Sequence, residues 1–132
     1  MAEKIPESEK VTVNLGFVDL GQIDLMVRDG FYSNRTDFIR TAIRNQLDRQ
    51  SDLLRQSAVR KSLDFGLRRI TRQELEAVRD RGEAMQINVL GLAVIAPDVS
   101  GALARAAISS ITVLGALHAS AEVRAALADR MG

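Results

Sequence analysis

Residues 30–44 read GFYSNRTDFIRTAIR, and the way this stretch turns out of one helix and into the next decides the first part of the fold. Gly30 suits a left-handed helix cap, because a residue without Cβ takes positive φ at little cost. Asn34 stands three residues before Asp37, where its side chain accepts a bond from a backbone N–H that a new helix leaves orphaned. From there Phe38, Ile39, Ala42, Ile43 and Leu47 follow the i, i+3, i+4 spacing of an apolar stripe, with Arg40, Arg44 and Arg49 on the other side.

Reading back from Gly30, Leu20, Ile23 and Val27 also fall at helical spacing, with Asp19 near the start, which predicts a first helix over about 18–28. Before it, Gly16 ends a run of another kind. In KVTVNL at 10–15, Val11, Val13 and Leu15 alternate with Lys10, Thr12 and Asn14. A period of two predicts a strand with one apolar and one polar face. The first nine residues, polar with Pro6 and three Glu, read as a flexible arm.

Reading forward, residues 49–62 predict a helical connector with charged faces. The remainder, 63–132, carries an internal repeat. Ile87, Val89, Leu90, Gly91, Asp98, Val99, Ala102 and Leu103 recur 24 positions later as Ile111, Val113, Leu114, Gly115, Glu122, Val123, Ala126 and Leu127. Each unit sets a β-branched run before an alanine-rich segment with a helix-start signal, Pro97 with Asp98 in one and Ser120 with Glu122 in the other. Phe65, Gly66 and Ile70, with Thr71 and Glu74 as a TxxE capping box before Leu75 and Val78, form a more degenerate copy. Three strand-helix units predict a small parallel sheet with helices on one side.

One five-residue strand is not stable alone, since its backbone groups lack partners and its apolar face covers little. The economical solution is a homodimer in which two copies of the strand pair antiparallel about a two-fold axis. Val11, Val13 and Leu15 then form a dimer core with Ile23, Val27, Ile39 and Ile43, while Lys10, Thr12 and Asn14 are shown twice on the opposite face. A two-stranded ribbon fits the major groove of B-DNA, and Lys, Thr and Asn donate to or accept from base edges.

The strand VTVNL, the Ile23-Asp24 pair and the junction GFYSNRTDFIRTAIR resemble the ribbon-helix-helix (CopG/Arc-type) family of transcription regulators over residues 10 to about 48, the N-terminal third. The resemblance implies that Lys10, Thr12 and Asn14 face bases and that Ser33, Asn34 and Arg35, at the start of the second helix, hold a phosphate. The second expectation also has a physical basis, because free N–H groups and the helix dipole favour an anion there. Asn34 and Thr36 can equally serve as capping residues alone. Two departures stand out: Gly16 occupies the place of a frequent proline, and only Lys10 is basic on the outward strand face.

The sequence therefore predicts an α+β chain: an N-terminal ribbon-helix-helix dimerisation unit followed by a small C-terminal α/β strand-helix repeat domain. Its divisions are a flexible arm over 1–9, the ribbon-helix-helix domain over 10–48, the helical connector over 49–62 and the repeat domain over 63–132. The 132 residues carry 18 Lys and Arg against 17 Asp and Glu, so binding to DNA has to use local charge and, with so few cations, several dimers side by side. Charge concentrates before residue 84; beyond it only three basic and three acidic residues remain. Such an apolar block with open sheet edges points to self-association or to a protein partner.

Other chemistry finds little support. There is no cysteine, which excludes disulfides and thiolate metal sites and suits a reducing, cytoplasmic setting. The longest apolar-rich stretch, INVLGLAVIA at 87–96, is too short for a membrane span, and no export segment is indicated. His118 is the single histidine and has no second ligand for a metal or a catalytic pair. GxxxxGK[ST], HExxH and GxSxG patterns are missing, so neither an enzyme nor a cofactor is expected. Phe31 and Tyr32 read as junction packing, and Arg68, Arg69, Arg72, Arg79 and Arg81, interleaved with Glu74, Glu76 and Asp80, as an ion-paired face. Double-stranded DNA and a second copy of the chain are the expected partners. A self-assembling scaffold that uses the N-terminal unit only to dimerise is the first alternative, and the antitoxin of a toxin-antitoxin pair the second.

Overall fold

A computed structural model describes residues 8–132, so most of the expected N-terminal arm lies outside the described residues. The chain is mixed helix and strand. Helices α1 (Phe17–Arg28), α2 (Arg35–Arg49) and α3 (Ser51–Arg60) come first. Strands and helices then alternate as β1 (Asp64–Ile70), α4 (Arg72–Asp80), β2 (Met85–Ile95), α5 (Gly101–Ala107), β3 (Ile108–His118) and α6 (Ala121–Ala126), with a final 3₁₀ turn at Ala128–Arg130. The chain divides into two compact units, Met1–Arg55 and Gln56–Gly132, and the division falls inside α3.

In the C-terminal unit the three strands lie parallel in the order β1-β2-β3. The 24-residue repeat is the register of the sheet: Ile87 pairs with Ile111, Val89 with Val113 and Gly91 with Gly115. The degenerate copy joins the same rows, with Gly66 beside Gly91 and Ile70 beside Ile95. Ile87, Val89, Ala93, Ile95 and Ile111 are buried in one cluster with Leu75 and Val78 of α4, Leu103 and Ala104 of α5, and Val123 of α6. Alternate strand residues thus face the helices, and α4, α5 and α6 cover one side of the sheet, α5 packing against both of the others.

Each helix of this unit begins on a hydroxyl cap, which satisfies an orphan donor of the first turn. Thr71 accepts from the Glu74 N–H at 3.2 Å, Ser100 from Leu103 at 3.1 Å and Ser120 from Val123 at 3.1 Å. The start expected at Pro97 and Asp98 is thereby corrected. Those two residues form a turn in which the Val99 N–H donates to the Ala96 carbonyl, and α5 begins only after Ser100. The reason lies in burial. Val99 and Val123 are both buried, as are Leu103 and Leu127, so repeat positions keep their packing while the helix boundary slides by about one turn.

Gly66, Gly91 and Gly115 form a row across the sheet, all at positive φ (106°, 140° and 119°). A Cβ on Gly91 would run into the Gly66 carbonyl oxygen, and one on Gly115 into that of Gly91. The glycines therefore allow a kink shared by all three strands, in which each carbonyl fills the space left by its neighbour's missing side chain. At the far edge the chain closes on itself. Met131 bridges to Ile111, the Gly132 N–H donates to the Ile111 carbonyl at 3.0 Å, and Arg105 holds Asp129 in a bidentate pair at 2.8 and 3.1 Å.

Candidate nucleic-acid interface

The N-terminal unit is built around the turn between α1 and α2. Asp29 caps α1, Gly30 follows at φ +85°, and the Gly30 and Phe31 N–H groups donate to the Val27 and Met26 carbonyls at 3.1 and 3.0 Å. This is the Schellman arrangement that a C-terminal glycine permits. Three residues on, the Asn34 side chain accepts from the Asp37 N–H at 2.8 Å, and the Asp37 carboxylate accepts from the Ser33 N–H at 2.9 Å. The reciprocal bonds fix where α2 starts. The Tyr32 ring meets Phe38 edge to face at 4.9 Å, so Tyr32 packs the junction as expected, whereas Phe31 is exposed.

Arg35 occupies a place that sequence reasoning missed. Its guanidinium donates to both carboxylate oxygens of Asp24, Nε to Oδ1 and Nη2 to Oδ2, each at 2.8 Å. A fork of this kind matches the carboxylate geometrically and ties α1 to α2. The hydrogen bonds to Arg35 hold the Asp24 carboxyl below its ordinary range and raise Arg35 in turn. Of the three residues expected to hold a phosphate, Arg35 is thus engaged within the chain, and the Ser33 N–H and the Asn34 side-chain oxygen are engaged in the cap. What stays open to an anion is the first turn itself, since the Arg35 and Thr36 N–H groups precede the first helical bond, from the Phe38 N–H to the Asn34 carbonyl. The signal for the Asp24-Arg35 pair, opposite charges on adjacent helices, carries no sequence periodicity.

Residues 10–15 form neither helix nor strand within the single chain. The expected strand is absent there for the reason the sequence supplies: a ladder needs a second strand, and the described residues of the same chain provide none next to it. Val11 is 77% exposed, Val13 69% and Ile43 54%, with Leu15 and Ile39 exposed as well. Val27 is half-buried, and among the described residues of this unit only Ile23 is buried. The unit therefore has its apolar residues in place but almost no core of its own. Lys10, Thr12 and Asn14 are likewise exposed, on the segment preceding Gly16 and α1.

The basic cluster behaves as a solvated face. Arg68 pairs with Glu74, Arg72 lies 3.4 Å from Glu76 and 3.7 Å from Asp98, and Arg79 and Arg81 reach Asp80 and Glu83 at 3.2 and 3.3 Å. Among the described residues no group of His, Asp and Glu could hold a metal, and no helix is long and apolar enough to cross a membrane.

Comparison with known proteins adds the family. No curated protein and no solved structure matches the chain. The sequence pattern of the Ribbon-Helix-Helix transcriptional regulator family matches residues 6–124, which takes in the strand-helix repeats as well as the N-terminal third to which the motif resemblance was confined. With the pattern spanning most of its length, the chain belongs to the Ribbon-Helix-Helix transcriptional regulator family, a family of DNA-binding regulators.

Proposed function

We propose that the protein is a cytoplasmic, sequence-specific DNA-binding regulator that works as a homodimer, with residues 10–15 of two chains paired as an antiparallel ribbon in the major groove. The observation that carries this reading is the near-absence of a core in the N-terminal unit, where among the described residues Ile23 alone is buried while Val11, Val13 and Ile43 stay exposed. Exposed apolar residues at core spacing want a partner, and a second copy supplies both the missing strand and the missing face. Lys10, Thr12 and Asn14 then read base edges, and the first turn of α2 sets the register by accepting a phosphate on its N–H groups. The C-terminal unit serves assembly or partner binding, and no catalytic role is assigned to the chain.

Selection of bound duplexes from a random-sequence DNA pool tests the proposal. The full-length protein should enrich a short, two-fold-symmetric site, and the Thr12→Ala, Asn14→Ala double variant should lose that enrichment while keeping the mass of a dimer. Equal enrichment by the variant, or none by the unaltered protein, would remove the base-reading role. A scaffold that uses the unit only to dimerise is the competing reading, and it predicts no enriched site.

A further inference from the structure

The Asp24-Arg35 pair carries the next inference. Among the described residues it is the one ion pair of the N-terminal unit, and one of its partners is the first residue of α2. Nε and Nη2 of Arg35 both donate to the Asp24 carboxylate, so a fork that would suit a phosphate is already filled by an anion of the same chain. The pair lies at the surface, with 55% of the Arg35 side chain and 51% of the Asp24 side chain exposed, so burial keeps no other anion away from it.

The charge around this helix end weighs against a phosphate contact by Arg35. Asp37, in the first turn of α2, turns its carboxylate back to the Ser33 N–H at 2.9 Å, so two carboxylates stand against one guanidinium. A phosphate that captured the guanidinium would leave Asp24 without its partner and close to the new anion. One pair would be exchanged for another, with a repulsion added. A phosphate that approached the N–H groups left outside the fork would feel the cation offset by the carboxylate behind it. One seated on the free Arg35 and Thr36 backbone N–H groups gains hydrogen bonds but no net cation. Phosphate neutralisation supplies the sequence-independent part of DNA affinity, and a cation paired within the chain is missing from it.

We infer that Asp24 is an intramolecular competitor of the DNA backbone: its carboxylate takes the place of a phosphate on Arg35 and so limits the affinity of this helix end for any duplex. The contact is autoinhibitory. It gives a carboxylate of α1 control over how steeply binding depends on salt. The inference rests on the DNA-binding reading above and on no particular oligomeric state.

The test follows binding of the full chain to a duplex of random sequence by fluorescence anisotropy, with helix content checked by far-UV circular dichroism. Asp24→Asn releases Arg35 and should steepen the log-log salt dependence by about 0.9 for each chain bound, which is roughly a threefold larger loss of affinity between about 50 and 200 mM salt. Asp48→Asn, the same change of charge near the other end of α2, should leave the slope where it is. The charge-balanced Asp24→Asn, Arg35→Gln double variant should bind as the unaltered chain does, because a closed pair has no phosphate contact to lose. A double variant weaker than the unaltered chain, a slope unmoved by Asp24→Asn, or an equal effect of Asp48→Asn would overturn the inference. Since the pair also ties α1 to α2, the unaltered chain supplies a readout that needs no variant. Its Arg35 Nε–H proton resonance should keep its position when duplex is added, and displacement of that resonance would count against Asp24 as the competitor. A chain that binds no duplex at the lowest salt removes the DNA-binding reading and the inference together, whereas a chain that binds but fails any of these comparisons loses the inference alone.

Discussion

At the residue scale, single groups decide whether elements can approach. The glycine row makes a graded prediction. Gly91→Ala and Gly115→Ala each combine a positive φ with a collision against the preceding strand's carbonyl, while Gly66→Ala meets nothing within 4 Å and carries the φ penalty alone. Gly66→Ala should cost about 1–3 kcal/mol and the other two more, measured by denaturant unfolding of the C-terminal unit. Equal costs at all three positions would mean that the close stacking is not what the glycines serve. Asp24 makes a second prediction through pH. Its carboxyl is held low by Arg35, so its contribution is complete above the ordinary carboxylate range and is lost as pH falls through the lowered folded value. Asp24→Asn should remove that part of the acid sensitivity of the α1-α2 unit, followed by amide chemical shifts around Arg35 during an acid titration.

At the scale of elements, hydroxyl caps and repeat spacing organise the C-terminal unit. Replacing Thr71 or Ser120 by Ala leaves an N–H of the first turn without its acceptor and should cost about 0.5–2 kcal/mol, read from the unfolding midpoint. Much of this layout was legible in the sequence. The 24-residue spacing is the strand register, and the Thr71-Glu74 and Ser120 signals, Gly30 and Asn34 mark true helix ends. What could not be read follows from physics that acts across the chain. Pro97 and Asp98 look like a helix start, yet Val99 reaches its buried site from a turn, and only tertiary packing decides that. The Asp24-Arg35 pair joins residues 11 apart on two helices, outside any periodic pattern. The alternation at 11–15 predicts a strand that the single chain does not form, since no described residue of the same chain stands beside it to complete a ladder.

At the scale of the whole molecule, the two units solve the problem of burial differently. The C-terminal unit closes a core of its own between sheet and helices, while the N-terminal unit presents apolar residues with almost nothing beneath them. A unit completed only by a partner has a stability that depends on concentration. The transition of the N-terminal unit, followed by hydrogen exchange of amides in α1 and α2, should therefore gain protection as protein concentration rises, while the innermost strand β2 should change far less. Concentration-independent protection of α1 and α2 would argue for a self-sufficient monomeric unit. In the function proposed above, a ribbon with one basic outward residue per chain would gain affinity if assembled copies acted on neighbouring DNA sites.

The ribbon itself is the central claim, and a chain without cysteine allows it to be observed at one position. A nitroxide label on Thr12→Cys reports the distance between two copies by electron paramagnetic resonance. Paired antiparallel strands about 5 Å apart predict strong spin-spin broadening in the free protein, abolished by dilution into an excess of unlabelled chain. Narrow, uncoupled spectra from a protein that is dimeric by mass would contradict the account.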